Sequence, residues 1–216
     1  MPTPFDALER AKLCDLLDEL GPDAPTLCEG WDTLDLAAHL VMRERQPLTA
    51  PGMLFPAAFG GRLGRRRERA TERTKAMGYS SLVDTIRAGP PLLSPFRVPG
   101  VRTLVNLTEY FVHHEDVRRA NGREPRDDIL ALEEAFWRIL RRGGRILVRG
   151  VKGVGVVLVR PDGDEIVARK GDPVVRITGT PGELVLYLNG RKGAGQVTLD
   201  GPDAAVKTVE DAPMGV

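Results

Sequence analysis

The sequence predicts an α+β protein, helical over residues 1–145 and a small α/β unit over residues 146–216. Three observations carry that expectation. Through the first part, apolar residues recur at three- and four-residue spacing, the period of a helix with one buried face. Beyond Val151 they gather into short β-branched runs separated by Pro161-Asp162-Gly163 and Gly171-Asp172-Pro173, the chemistry of tight turns between strands. The length of 216 residues suits one large domain or two small ones, each able to bury a core.

Taken in order, Phe5, Leu8, Leu13, Leu16, Leu17 and Leu20 mark a first helix that Gly21-Pro22 stops. Asp32 or Thr33 caps a second, LDLAAHLVMRERQ, which ends at Pro47. Residues 47–64 are rich in Gly and Pro yet carry Met53, Leu54, Phe55 and Phe59, which reads as a long ordered connection or a lid. A charged helix, RRRERATERTKAMG, follows, then a shorter one capped by Ser80 or Ser81 and closed by Gly89. Val101 to Ala120 is the longest helical stretch, closed by Asn121-Gly122, with Val101, Leu104, Val105, Thr108 and Val112 as its apolar stripe. A further helix starts near Asp127-Asp128, buries Leu132, Phe136, Ile139 and Leu140, and is expected to end at Gly143-Gly144. Three strands come next. Thr180-Pro181-Gly182-Glu183 has the spacing of a capping box that opens a helix to Leu188. The strand QVTLDG and the helix PDAAVKTVED complete a β-β-β-α-β-α order.

Composition narrows the function classes. Lys and Arg number 31 against 30 Asp and Glu, a net charge of +1, which argues against a surface built to hold nucleic acid. The Arg65-Arg66-Arg67-Glu68-Arg69 run reads as a solvated helix face, interleaved with Glu68 and Glu72 and without an aromatic platform. No apolar run reaches the ~20 residues that span a bilayer, and the N-terminus lacks the basic and apolar regions of a signal peptide. Two cysteines, Cys14 and Cys28, make no disulfide framework. The expectation is a cytoplasmic protein with neither nucleic acid nor membrane as partner and its oligomeric state open. Gly150–Gly155 precedes a strand instead of joining strand to helix, so it reads as a turn and not a phosphate loop.

The chemistry concentrates in two helices. All three histidines, His39, His113 and His114, lie there. Glu109 and His113 are four apart and so project from one helix face, while His39 sits in the apolar stretch LAAHLV. Two imidazoles and a carboxylate from two helices match the ligand set of an open site for zinc or another divalent metal. The same residues also read as a surface Glu–His hydrogen bond and a satisfied core histidine. His114-Glu115 does not open a zinc-protease helix, because the second histidine would fall at Arg118.

At these residues the sequence resembles a known family. TLCEGWDTLDLAAHLVMRER, followed by NLTEYFVHHEDVRRANG, is similar to the mycothiol-dependent maleylpyruvate isomerase family of DinB-like metal-binding proteins. The match to the family's Gly-Trp-then-helix-His pattern falls on Gly30, Trp31 and His39, and to its Glu-x-x-x-His pair on Glu109 and His113. The resemblance implies a DinB-like four-helix bundle followed by a small α/β domain. It implies a divalent metal ion, zinc or alternatively nickel, at His39, Glu109 and His113. It also implies a low-molecular-weight thiol such as mycothiol as cosubstrate, in isomerase or transferase chemistry on a small electrophile. ITGTPGELVLYLNGRKG is similar to the family's second domain, where Arg191 is the arginine that closes over the site and binds a substrate carboxylate; it also reads as a surface arginine at a helix end. Asp116 is placed to orient a ligand histidine or to pair with Arg119 or Arg123 on the surface. Cys28 either contacts the same cleft or is a small buried residue. The alternatives to an enzyme are a non-catalytic metal or small-ligand binding module of the same fold, and an interaction protein whose histidines are ordinary.

Overall fold

The computed structural model of the chain describes residues 4–45, 62–92, 94, 96, 102–127 and 129–215, without the side chains of 62–67 and 102–103. Most of the expected 47–64 connection, much of the arginine run's side chains, Val101 and Asp128 lie outside the described residues. Among those described are eight α-helices and a four-stranded mixed sheet, an α+β architecture.

In the first compact unit, residues 1–125, α1 (Phe5–Leu20) ends as expected. Gly21 takes φ +77° and its N–H bonds to the Leu17 carbonyl, a left-handed exit that costs glycine nothing. Asp32 is the cap of α2 (Thr33–Arg45). Its Oδ1 accepts from the Asp35 N–H at 2.8 Å, and Asp35 Oδ2 accepts from the Asp32 N–H at 3.4 Å, the reciprocal arrangement of a capping box. α3 (Arg62–Lys75) packs on α2, and Lys75 pairs with Asp35 at 2.5 Å. α4 (Tyr79–Ala88) starts ahead of the expected Ser80 or Ser81 cap. Gly78, at φ +84°, precedes it, and no side chain caps it. α1, α2 and α4 bury Leu13, Leu17, Leu36, Leu40, Leu82 and Ile86 completely.

The long helix departs from expectation at its start. Arg102–Asn106 is a π-helical turn and α5 (Leu107–Ala120) begins after it. Leu104 and Val105, expected in the apolar stripe, lie within this turn and are 41% and 40% exposed, while Tyr110, Phe111 and Val112 are buried.

The second unit is residues 126–216. Sequence texture put the change at 145/146, and the difference is α6 (Leu130–Leu147), which packs on elements of the sheet unit. Gly143-Gly144 does not terminate this helix. Gly144 is buried, with Leu158 Cδ1 and Ala168 Cβ of the strands 3.5 and 3.9 Å from the place a side chain would start, while nothing lies within 4 Å of that place at Gly143. β1 (Gly155–Val159), β2 (Glu165–Arg169), β3 (Val174–Thr178) and β4 (Thr198–Asp200) lie in the order β2-β1-β3-β4. β1 runs antiparallel to β2 and parallel to β3, and β3 antiparallel to β4. Every residue of the inner strand β1 is buried.

α7 (Pro181–Leu188) starts where the sequence places it, but the capping box does not form. Glu183 Oε2 instead accepts from the Gln196 N–H at 2.7 Å. Glu133 of α6 takes over the helix start, accepting from the Gly182 N–H at 2.6 Å and from the Thr180 hydroxyl. Burial nonetheless lifts the Glu133 carboxyl above its ordinary range. α8 (Asp203–Asp211) packs on β3, and Lys192 donates to the carbonyls of Val209, Glu210 and Ala212 at its end.

Candidate metal centre

α2 and α5 bring His39, Glu109 and His113 to one point. His39 Nε2 lies 3.1 Å and His113 Nε2 3.4 Å from the same oxygen, Glu109 Oε1. The donor atoms of all three are within 4.8 Å of one another. The apolar surroundings of LAAHLV and of buried α5 would not hold three polar groups without mutual compensation.

Each side chain is held from behind. The Trp31 ring packs against His39 with centroids 5.2 Å apart and planes tilted by 54°. Asp116, 0% exposed, has Oδ2 at 2.9 Å from His113 Nδ1. That leaves the Nε2 of His113 for Glu109 and a metal, the carboxylate–histidine arrangement that orients ligand imidazoles. Asp116 is thus a buried group behind His113 and not a surface carboxylate; Arg119 pairs with Glu115 at 2.8 Å.

Glu109 also faces Arg43, whose Nε is 3.3 Å from Oε1. No pattern in the sequence singles out this arginine, which falls among the alternating charges that end α2. It is buried, with its guanidinium 4.5 Å over the Phe96 ring and Nη1 donating to Asn106 Oδ1 at 3.3 Å. The π-turn delivers Asn106 to that position.

The charges follow from these contacts. Burial works to raise the Glu109 carboxyl, but the Arg43 charge and the hydrogen bonds from His113 and His39 outweigh it and hold it well below the ordinary range. Burial pushes His39 below the usual imidazole range against the pull of Glu109. For His113 burial is again the largest single influence, yet hydrogen bonds with Asp116, Cys28 and Glu109 together hold it well above. The contacts therefore favour the ionised form of Glu109 and the protonated form of His113. A divalent cation displaces such a proton when it binds, and two imidazoles with one carboxylate suit zinc or nickel.

Cys28 is not a simple core cysteine. It is partly exposed, and its thiol reaches Asp116 Oδ2 at 3.3 Å. His114 is the ordinary histidine of the three: it is buried, with Nδ1 3.2 Å from Glu9 Oε2 on α1. Arg191 lies in the second unit, just after α7. Its N–H bonds to the Leu186 carbonyl and its Nη1 donates to the Asn189 carbonyl at 2.7 Å. No helix among the described residues is long and apolar enough to cross a membrane.

No family sequence model matches the chain, and no curated protein matches it in sequence. Two solved structures share its fold. The crystal structure of the mycothiol-dependent maleylpyruvate isomerase superposes with a TM-score of 0.60 at 16% identity, over 91% of this chain and 90% of that one. That of a histidine-to-alanine mutant of the mycothiol-dependent maleylpyruvate isomerase gives 0.60 at 18% identity, with the same coverage. Over nearly its whole length, the chain has the α+β fold of the mycothiol-dependent maleylpyruvate isomerase.

Proposed function

We propose that the protein is a divalent-metal enzyme that uses a low-molecular-weight thiol, such as mycothiol, to isomerise or transfer onto a small electrophilic substrate. The observation that carries this reading is the convergence of His39 Nε2, Glu109 Oε1 and His113 Nε2, with Asp116 behind His113. The fold shared with a mycothiol-dependent isomerase supports it.

His39, Glu109 and His113 would hold the ion, zinc or alternatively nickel. A divalent ion held there would supply Lewis acidity that lowers the pKa of a thiol and presents it as a thiolate nucleophile. The chain's own residues set up that chemistry. Trp31 restricts the His39 ring, and Asp116 as acceptor for Nδ1–H favours the His113 tautomer that presents Nε2 to the ion. Arg43 keeps Glu109 ionised so that its oxygen is available as a donor. Three protein ligands leave the remaining coordination positions to exogenous groups. Arg191 is proposed to bind an anionic group of the substrate in the bidentate manner of a guanidinium. The reading extends to a cytoplasmic setting with a small molecule as partner and neither nucleic acid nor membrane.

A second reading is a non-catalytic metal or small-ligand binding module. It is favoured by the hydrogen bond that Arg191 spends on its own Asn189 carbonyl, as a structural helix-end arginine does. Turnover separates the two. Metal-loaded protein is given a panel of small electrophiles, with and without each low-molecular-weight thiol. Enzyme function predicts product only when metal and thiol are both present, and its loss in Arg191→Ala with metal content intact. Stoichiometric metal without turnover on any pair would replace it with the binding-module reading.

A further inference from the structure

His113 presents its two nitrogens to two different sets of donors. Nε2 faces Glu109 and the His39 ring, whose centroid is 5.2 Å from its own. Nδ1 faces Asp116 Oδ2 at 2.9 Å, and the Cys28 sulfur is 3.3 Å from that same oxygen. The sulfur, nitrogen and oxygen of Cys28, His113 and Asp116 lie within 4.8 Å of one another, as do the donor atoms of His39, Glu109 and His113.

This second group is held in place by backbone as well as side chains. Cys28 comes from the loop between α1 and α2, which is tied to α5 by the Leu27 N–H on the Asp116 carbonyl at 3.2 Å. Asn121 Nδ2 donates to the Pro25 carbonyl at 3.0 Å and strengthens that tie. The Cys28 N–H bonds to Thr26 Oγ1 at 3.1 Å, fixing the direction from which the thiol leaves the loop. Asp116 is wholly buried while Cys28 is partly exposed, so the group has a sheltered carboxylate and a sulfur within reach of solvent. Thiolate, imidazole and carboxylate together make a donor set for a thiophilic divalent ion, softer than the two imidazoles and carboxylate on the other side of the ring.

A neutral imidazole has one lone pair, since its other nitrogen carries the proton. With the lone pair on Nε2, the Nδ1–H donates to Asp116. With the tautomer reversed, the Nε2–H donates to Glu109 and Nδ1 is free to coordinate. We propose that Cys28, His113 Nδ1 and Asp116 form a second cation site for a thiophilic divalent ion, whose occupation excludes an ion at His39, Glu109 and His113. Binding breaks the S–H bond, forms a sulfur–metal bond and releases the thiol proton to solvent. The site stands on its own geometry, whereas the exclusion rests on the metal-ligand part of the functional reading above.

The test is a titration of the full, metal-free chain with Cd²⁺ alone, following the thiolate-to-cadmium charge-transfer band in the ultraviolet. The band is expected to saturate at one Cd²⁺ per chain and to persist in His39→Ala. It is expected to vanish in Cys28→Ser, which still binds Ni²⁺ and so is shown to be folded. Cys14→Ser keeps the band, because the Cys14 thiol is buried, donates to the Val83 carbonyl and is pushed up to about 12 by burial. Ni²⁺ added to the wild type is expected to erase the band as it binds. Absence of the band in the wild type, or its survival in Cys28→Ser, overturns the site. Two ions bound together with the band intact overturn the exclusion. A normal Cd²⁺ band in a wild type that binds no Ni²⁺ would overturn the first-site reading and leave the second standing.

Discussion

Replacing Asp116 probes the central geometry without touching a metal donor of the first site. Its Oδ2 accepts from His113 Nδ1 at 2.9 Å inside the protein, where the side chain is 0% exposed. In Asp116→Ala that nitrogen loses its charged acceptor, and either an N–H is buried without a partner or the ring reverses its tautomer and turns an N–H toward the metal. A hydrogen bond to a charged group contributes about 1.5–3 kcal/mol. At about 1.4 kcal/mol per tenfold, metal affinity should fall roughly tenfold to a hundredfold, the range seen when groups behind ligand histidines are removed. Asp116→Asn keeps an oxygen for the Nδ1–H without the charge and should fall between wild type and Asp116→Ala. Calorimetric titration of metal-free protein with Ni²⁺ at fixed pH and salt measures the difference, with circular dichroism confirming that each variant folds. If Asp116→Ala bound Ni²⁺ as tightly as wild type, the orienting role would be refuted.

Three further predictions concern the scaffold. Gly143→Ala should stabilise the protein by about 0.8–1 kcal/mol in urea unfolding, because α6 runs through this position and an added Cβ meets nothing within 4 Å. A loss would mean that the helix ends there after all. Lys192→Met removes three donations to the carbonyls at the end of α8, at 3.0, 2.5 and 2.6 Å, and should cost about 1.5–3 kcal/mol in the same measurement; an unchanged midpoint would show that water replaces them. Burial holds Glu44 above the ordinary glutamate range despite the hydrogen bond from Tyr110 and the Arg10, Arg43 and Arg45 charges. The unfolded chain therefore loses this proton first, and its contribution to stability is full below the ordinary glutamate pKa and is lost as pH rises through the folded value. Glu44→Gln, which retains an acceptor for the Tyr110 hydroxyl, should gain stability relative to wild type over that rise and then level off. A Gln variant less favourable at neutral than at acid pH would contradict the sign.

Much of this architecture is local and so was legible in the sequence. The spacing of Leu13, Leu17 and Leu20 with Gly21 behind it marks α1, and the three strands follow from β-branched runs cut by Gly, Pro and Asp. The pairing of Glu109 with His113 follows from helical spacing, and its approach to His39 from the family resemblance. What was illegible depends on partners distant in sequence. Gly143-Gly144 has the form of a stop signal, yet α6 runs through it and packs Gly144 against Leu158 and Ala168 of the strands. Thr180 and Glu183 satisfy the capping-box spacing, but a carboxylate 49 residues upstream of Gly182 occupies the helix start. No periodicity announces the π-turn at Arg102–Asn106, which contains the exposed Leu104 and Val105 and the Asn106 that meets Arg43. Cys28 and Asp116 are 88 residues apart, and only folding shows that they share His113.

The most direct measurement is the metal content of protein purified without a metal-affinity tag, compared among wild type, His39→Ala and His113→Ala. The account predicts close to one Ni²⁺ per wild-type chain after equilibration with Ni²⁺, and its loss from both variants while they remain folded. A wild type that takes up no Ni²⁺, or a His39→Ala protein that keeps Ni²⁺ at full stoichiometry, would contradict it.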